Sequence, residues 1–380
     1  LRKMLMLASV ASMIEQFNIP NIKLLLEMGY EVHVACNFNK GNTWTDEKRE
    51  ELKALLLKLR VHFFQIDFDR NVFMFGKVLI AYRQVMTLVK KYKYDFIHCH
   101  SPIGGVIGRS VGHATGIKVI YTVHGFHFFR GAPIKNWILF YPIEKFLAQW
   151  TDIIITINKE DYVLAKSRMK TLHVEYIPGV GIDVKKFADT KVDRKTKRKE
   201  LGIPEDIYLL FSVGELNKNK NHEVVIRAIE KMHNKNIHYA IAGQGDLKDY
   251  LTHITNKLGL KNQVHLLGFR EDVAELYKMA DIFIHPSLRE GLPVSVMEAM
   301  ASKKPLIVSK IRGNRDLVNQ NSGYLCNPSC IKDFTEAITS LYSDITLQNK
   351  MSNAGYENIL KYDLQNITYR MSEIYSKIGI

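Results

Sequence analysis

The sequence predicts an α/β protein with two Rossmann-like domains, each built on an open parallel sheet, and three observations carry that expectation. Short apolar strands alternate with helical stretches from Met4 onward, with strand, helix and strand inside a single crossover-sized segment. After Pro178-Gly179 and a lysine-rich run, the same alternation restarts at Tyr208. The chain of 380 residues is long enough to bury two cores of ordinary size.

Met4 to Val10 reads as the first strand, with Ser9 to Asn18 as its loop and helix start, and Gly29 after Met28 as the helix stop. Glu31–Cys36, His62–Ile66 and Phe96–His100 continue the sheet. Lys118 to Gly125 is a further strand, delivering His124 to its carboxyl edge, where an isolated His is more often structural. Phe126 to Tyr141 interleaves aromatic residues with Arg130 and Lys135 across a Gly131-Ala132-Pro133 break. This segment reads two ways: a water–lipid boundary anchor, or a helix over Trp137 to Phe146 buried against the core. Both hold if only Phe126 to Lys135 meets lipid. Ile153–Ile157 and Val174–Gly179 close the first series.

The run Lys191 to Lys199 reads as a solvated helix face. Tyr208–Gly214 opens the second series, followed by Lys218, Lys220 and an amphipathic helix to Met232. Gly243-Gln244-Gly245 lacks the third glycine of a dinucleotide loop and reads as a tight turn. Ile282–Ile284 and Leu306–Ser309 read as further strands, before Gly323–Pro328 and the last helices, ending with Leu364 to Lys377.

Chemistry concentrates between Ile284 and Lys303. Strand, Gly-Pro loop and helix is the build of a ligand site at the carboxyl edge of a parallel sheet. Gly291 permits close approach of a bound group, and Pro293 suits a first helical turn, whose N–H groups then face an anion such as a diphosphate. Glu290 in the loop and Glu298 on the helix bracket that anion, so they are suited to accept hydrogen bonds from hydroxyls on its two flanks. The plain alternative is that Glu290 complements the helix dipole and Glu298 is a solvated helical residue.

Pro286-Ser287, Glu290-Gly291, Glu298-Ala299-Met300-Ala301 and Lys304-Pro305 together resemble the donor site of family 4 retaining glycosyltransferases of the GT-B fold. That resemblance implies two facing Rossmann-like domains with a cleft between them. With Gly181-Ile182-Asp183 similar to the family's interdomain junction, the expected domains are 1–186 on the acceptor side and 187–361 for the nucleotide sugar, with 362–380 packing back on the first. Glu290 is then expected on the donor sugar, Glu298 on the ribose, and the backbone of Gly291, Leu292 and Pro293 on the diphosphate. Thr122-Val123-His124-Gly125 resembles the amino-domain signature, which implies that His124 faces the transferred sugar. After Gly214 the family commonly has a basic residue. Here Glu215 stands there, while Lys220 matches the second basic position and Arg289 or Lys218 is expected to supply the missing charge. Phe269, Arg270 and Val273 lie in the segment similar to the base-binding edge. In the first loop, Ser9-Val10-Ala11-Ser12 replaces the family's usual glycines.

Composition narrows the partners. A chain that is 46% hydrophobic and 24% charged is globular. No apolar run reaches membrane-spanning length, and Leu5 to Ala11 is too short for a secretory signal, so a cytoplasmic protein is expected. Cys36, Cys99, Cys326 and Cys330 have no metal-binding spacing and read as reduced thiols. The net charge of +14 leans toward the first half, without any nucleic-acid-binding signature, so an anionic membrane surface or a lipid diphosphate is the expected partner and nucleic acid is not.

Tyr121 to Phe128 and Gly214-Glu215-Leu216-Asn217 resemble bacterial capsular polysaccharide N-acetylfucosaminyltransferases. The resemblance implies transfer from a UDP-sugar to an undecaprenyl-diphosphate-linked saccharide, by front-face attack with no cofactor. No Asp-x-Asp pair of the kind metal-dependent transferases use stands among the candidate site residues, so no metal is expected. Phe128, Phe129, Arg130, Lys135 and Trp137 are the expected acceptor or membrane contacts at the inner face of the cell membrane. Three alternatives stand beside this reading: a non-hydrolysing sugar-nucleotide epimerase, a catalytically silent membrane-peripheral module favoured by Glu215, and a nicotinamide dehydrogenase disfavoured by the incomplete glycine fingerprint.

Overall fold

The computed structural model describes residues 2–39, 46–69 and 75–378. The chain forms two compact units, one from 1–180 plus 365–380 and the other from 181–364. The first unit carries β1 (Arg2–Leu7), β2 (Tyr30–Cys36), β3 (His62–Gln65), β4 (Phe96–His100), β5 (Lys118–Val123), β6 (Ile153–Thr156) and β7 (His173–Tyr176). All seven pair in parallel in the order β3-β2-β1-β4-β5-β6-β7. Because side chains alternate along a strand, β1 feeds two cores. Met4 and Met6 pack with Ile14, Ile22 and Val34, while Leu5 and Leu7 pack with Ile107, Val111 and Tyr121. Apolar residues on successive positions are thus what a sheet covered on both faces requires.

The final helix, Leu364–Ile378, lays Ile367, Met371, Ile374 and Tyr375 into the first of those cores. Its Tyr375 hydroxyl lies 2.9 Å from His98 Nδ1, and Lys377 pairs with Glu175 at 2.7 Å.

The second unit repeats the plan with β8 (Tyr208–Val213), β9 (Ile237–Ala242), β10 (Val264–Gly268), β11 (Ile282–His285), β12 (Leu306–Ser309) and β13 (Gly323–Cys326). These six strands are also all parallel, in the order β10-β9-β8-β11-β12-β13. Leu209 and Phe211 face one core and Leu210 the other. Both sheets therefore have the doubly wound order in which the crossover direction reverses beside the first strand of each series.

The lysine-rich run is not merely a solvated face. Arg194–Glu200 forms a helix in which Lys197 and Arg198 are buried. Arg198 donates to the carbonyls of Met279, Glu205 and Ile207 and pairs with Asp281 at 2.8 Å, while Lys197 reaches Asp272 at 2.5 Å. Carbonyls at strand and helix ends, together with two carboxylates, recruit these cations inward, an outcome that depends on pairing across the fold.

In the first unit, the helix Ile134–Leu147 is fastened by a buried ion pair. Arg109 Nη1 donates to Glu144 Oε2 at 2.7 Å, Arg109 Nε donates to the Gly105 carbonyl at 2.8 Å, and the guanidinium lies 4.1 Å from the Tyr121 ring centre. Cys36, Cys99 and Cys326 are buried thiols and Cys330 is half-buried, all without disulfides.

Candidate active site

In the second unit, the switch point falls between β8 and β11, where ligands of open α/β sheets bind at the carboxyl ends of the strands. β8 ends at Val213 and leads through Gly214 and Asn217–Asn221 into the helix His222–Met232. β11 ends at His285 and leads through Pro286–Pro293 into the helix Val294–Ala301. Close backbone contacts hold the two loops in place. A Cβ on Gly243 would lie 1.9 Å from the Gly214 oxygen, and one on Gly313, at φ +76°, would lie 2.5 Å from the Gly291 oxygen. No side chain fits at either place.

Asparagines stitch the first loop to the second. Asn219 Nδ2 donates to the Arg289 carbonyl at 3.0 Å, Leu288 N donates to the Asn219 carbonyl at 2.7 Å, and Asn221, left-handed at φ 54°, donates to the Pro286 and Pro328 carbonyls. This lattice brings Lys220 Nζ to 2.7 Å from Glu290 Oε1, and His285 Nε2 to 3.2 Å from the same oxygen. Burial pushes the Glu290 pKa up, but the His285 hydrogen bond and the Lys220 ammonium outweigh it, so its carboxyl stays well below the ordinary range and is ionised. An ionised carboxylate only accepts, so His285 presents Nε2–H to it. Burial holds His285 neutral against the pull of Glu290. Its Nδ1 lone pair then faces the Ser295 hydroxyl at 3.5 Å.

Glu298 has the opposite character. Burial raises its pKa to about 7, against the Tyr277 hydrogen bond and the Lys186 charge. The Tyr277 hydroxyl lies 2.8 Å from Glu298 Oε2 and 3.0 Å from the Ser295 carbonyl, and it has one proton to give. When Glu298 is protonated it donates to Tyr277, which donates to Ser295. When Glu298 ionises, Tyr277 turns to it and leaves the carbonyl. Two carboxyls of one loop–helix segment therefore carry different protonation states, one fixed as an anion and one poised near neutrality.

The other sequence-predicted residues of this unit are distributed around this centre. Gly291 and Leu292 are half-buried, Pro293 is buried at the helix start, and Arg289 is exposed. Phe269 is exposed, Arg270 is clamped to Asp272 at 2.8 Å, and Val273 begins the helix Val273–Met279. Gly214 packs under the Lys220 side chain, since a Cβ there would meet Lys220 Cδ at 3.2 Å.

In the first unit, β5 carries His124 beyond its carboxyl end, beside the end of β4. His124 is half-buried and lines a cavity with Phe17, Asn21, His100, Thr122, Ile155, Ile177 and Gly179. Burial lowers its pKa to about 4, so the ring is neutral at ordinary pH. His100 Nδ1 lies 3.1 Å from His124 Nε2.

The aromatic segment differs from expectation. Phe128 is fully buried, stacked on Phe126 at 4.7 Å and packed against Trp137 and Tyr141, so it does not face lipid. Trp137 is half-buried and its Nε1 donates to the Phe129 carbonyl at 3.3 Å, which removes it too as an inserted anchor. Phe129 is half-buried, and Arg130 and Lys135 are exposed. The exposed apolar residues lie further on: Ile134 (77%), Ile138 (72%), Leu139, Ile143 and Phe146 (53%), on one side of the helix with Lys135 and Lys145 among them. The other side, with Glu144 and Leu147, is buried. An aromatic-rich helix that is apolar all round gives no period from which to tell its two faces.

Sequence reasoning missed His285 as a partner of Glu290, Tyr277 as a partner of Glu298, and His100 as a partner of His124. His285 and His100 sit at strand ends, which was an available signal; Tyr277 is brought in by tertiary packing alone. Among the described residues, one grouping of His and carboxylate side chains has metal-ligating proximity, Glu31, His33 and His62, and it contains no candidate site residue.

Residues 193–358 match the family described as glycosyl transferases group 1, and residues 3–158 match the glycosyl transferase 4-like family. A putative glycosyltransferase, EpsD, of Bacillus subtilis is 34% identical over 99% of this chain and 96% of its own length. The UDP-Gal:alpha-D-GlcNAc-diphosphoundecaprenol alpha-1,3-galactosyltransferase of Escherichia coli is 27% identical over 97% of this chain and 95% of its own. Anabaena HepE, solved in complex with UDP and glucose, superposes with a TM-score of 0.80 over 99% of this chain and 100% of that one, at 17% identity, which extends the likeness to the GT-B fold. The chain belongs to the group 1 and 4-like glycosyl transferases and is a glycosyltransferase.

Proposed function

We propose that this glycosyltransferase moves a sugar, with retention of anomeric configuration and without a metal, from a UDP-sugar to a lipid-diphosphate-linked saccharide during polysaccharide synthesis. The observation that carries the reading is the pairing of Lys220 with Glu290 at the β8/β11 switch point, beside the start of the helix Val294–Ala301. An ammonium and a helix start suit a leaving diphosphate, while an ionised, acceptor-only carboxylate suits sugar hydroxyls. The named substrates of the E. coli relative, a UDP-sugar and a diphosphoundecaprenol-linked sugar, support the same donor and acceptor classes.

In this mechanism Lys220 leaves Glu290 for the diphosphate when donor binds, and Glu290 is released to the donor sugar. The departing phosphate takes the acceptor proton, so no protein nucleophile is used. Glu298 accepts from the ribose, and the backbone of Gly291, Leu292 and Pro293 borders the diphosphate, with Arg289 and Lys218 adding charge. Phe269, Arg270 and Val273 border the base. His124 holds a sugar hydroxyl. N-acetyl-L-fucosamine is the sugar that the sequence resemblance points to.

We place the enzyme at the inner face of the cell membrane, because a polyprenyl acceptor keeps its tail in the bilayer. No helix of the described residues is long and apolar enough to cross a membrane. The exposed face of Ile134, Ile138, Ile143 and Phe146, flanked by Lys135 and Lys145, is suited to shallow insertion beside anionic headgroups.

The deciding experiment incubates the full chain with a panel of UDP-sugars, including UDP-N-acetyl-L-fucosamine, and a polyprenyl-diphosphate saccharide, with and without EDTA. The expected result is one glycosylated lipid whose new linkage keeps the donor's anomeric configuration and whose yield is insensitive to EDTA. Epimerised donor formed without acceptor, or an inverted linkage, overturns the reading.

A further inference from the structure

At the carboxyl ends of β4 and β5 a line of contacts runs from Met6 Sδ through His100 to His124. His100 is buried at 2% exposure, with Nε2 3.2 Å from Met6 Sδ and Nδ1 3.1 Å from His124 Nε2. A thioether sulfur accepts weakly and has no proton to give. The atom of His100 that faces it is therefore satisfied only by being N–H. The neighbouring imidazole, His98, is occupied separately, between the Tyr375 hydroxyl at 2.9 Å and Thr122 Oγ1 at 2.8 Å. It stacks near His100 at 4.2 Å between ring centres and gives it no alternative hydrogen bond.

From these contacts we infer that Met6 sets the tautomer of His124 through His100, and that His124 presents a bare Nδ1, a hydrogen-bond acceptor, to its ligand. The steps follow one another. Met6 Sδ accepts from His100 Nε2–H; a neutral imidazole with Nε2–H has a bare Nδ1; that Nδ1 accepts from His124 Nε2–H; and a neutral His124 with Nε2–H has its lone pair on Nδ1. Both rings are neutral at ordinary pH because burial lowers their pKa values, helped for His100 by the adjacent His98 and His124. Phe17, 5.3 Å from the His124 ring centre, packs against that ring.

The consequence concerns recognition. With Nδ1 bare, His124 takes a hydrogen bond from a hydroxyl and offers none to a carbonyl or phosphate oxygen. Met6 and His100 are thus positioning residues for His124, acting from inside the sheet without touching substrate. This deepens the proposed role of His124 at a sugar hydroxyl and rests on it for its meaning in turnover, whereas the tautomer itself is measurable without any substrate.

The test is nitrogen NMR on the full chain labelled with 15N-histidine, with His124 and His100 assigned through His124→Gln and His100→Gln. The expected spectrum shows a protonated Nε2 and a bare Nδ1 on both rings. Met6→Leu, which conserves volume and keeps the core filled, removes the acceptor, and both rings should shift toward the opposite tautomer or a mixture. In the transferase assay the same variant should lose about tenfold in kcat/KM, the size of one misdirected hydrogen bond. A protonated Nδ1 on His124 in the parent protein overturns the inference, as does a Met6→Leu spectrum with both tautomers unchanged. An absence of transferase activity alongside the expected spectrum would instead count against the functional reading, leaving the relay intact.

Discussion

Replacing Glu298 by Gln isolates the one carboxyl of the candidate site that burial holds near neutrality. Its pKa rises from 4.5 to about 7 on folding. A raised folded-state value means that the group's stabilising contribution is complete below the unfolded pKa and is lost as pH rises through the folded one. At about 1.4 kcal/mol per pKa unit, the parent protein should lose about 2.5 kcal/mol from this group between about pH 5 and pH 8. The Gln variant has no such titration. It does change the Tyr277 hydrogen bond, but that alters both ends of the pH range alike and adds only an offset. Urea denaturation of parent and variant side by side at several pH values measures the slope of their difference. The variant should gain on the parent as pH rises, and a flat difference refutes the burial argument. Binding supplies an independent check of the proposed ribose contact, because an ionised carboxylate accepts a hydroxyl's hydrogen bond more strongly than a neutral carboxyl does. Affinity for uridine, which has no phosphate to titrate, should fall by up to about tenfold per pH unit below about pH 7 in the parent and stay flat in the variant.

Three further outcomes follow from the contacts described. Lys220→Ala should weaken UDP binding more than uridine binding, while Glu290→Gln should preserve or tighten UDP binding and depress turnover; calorimetric titration beside initial rates separates the two, and equal effects of Lys220→Ala on both ligands would remove it from the phosphate site. Arg109→Ala leaves Glu144 buried without its cation and should cost about 3–5 kcal/mol, read as a lower denaturation midpoint, whereas exchanging both residues for apolar ones should recover much of that loss. Replacing Ile134, Ile138, Ile143 and Phe146 together by Ser should abolish co-sedimentation with anionic vesicles and leave UDP binding unchanged, while the binding of the parent weakens with salt; salt-independent binding would sink the docking role.

How much could be read in advance depends on how locally each feature is encoded. The parallel sheets were legible because consecutive apolar residues such as Leu209, Leu210 and Phe211 satisfy two cores at once, a demand visible in any short window of the chain. Gly291, Pro293, Glu290 and Glu298 were legible because a loop that feeds a helix start constrains residue type at fixed spacing. The exposed apolar side was not: Phe128 and Ile138 have similar apolar character, and the docking of the helix, fastened through Arg109 and Glu144, leaves the first buried and the second exposed. Protonation was the least legible, for a physical reason. Glu290 and Glu298 are the same residue type on one strand–loop–helix segment, yet one meets a lysine from the loop after β8 and the histidine that ends its own strand, and the other a tyrosine from the helix Val273–Met279. Lys220 and Tyr277 reach these carboxyls only because the fold brings separate segments of the chain together. The difference between a fixed anion at Glu290 and a neutral-range acid at Glu298 is therefore a property of the second unit's topology as much as of its motif.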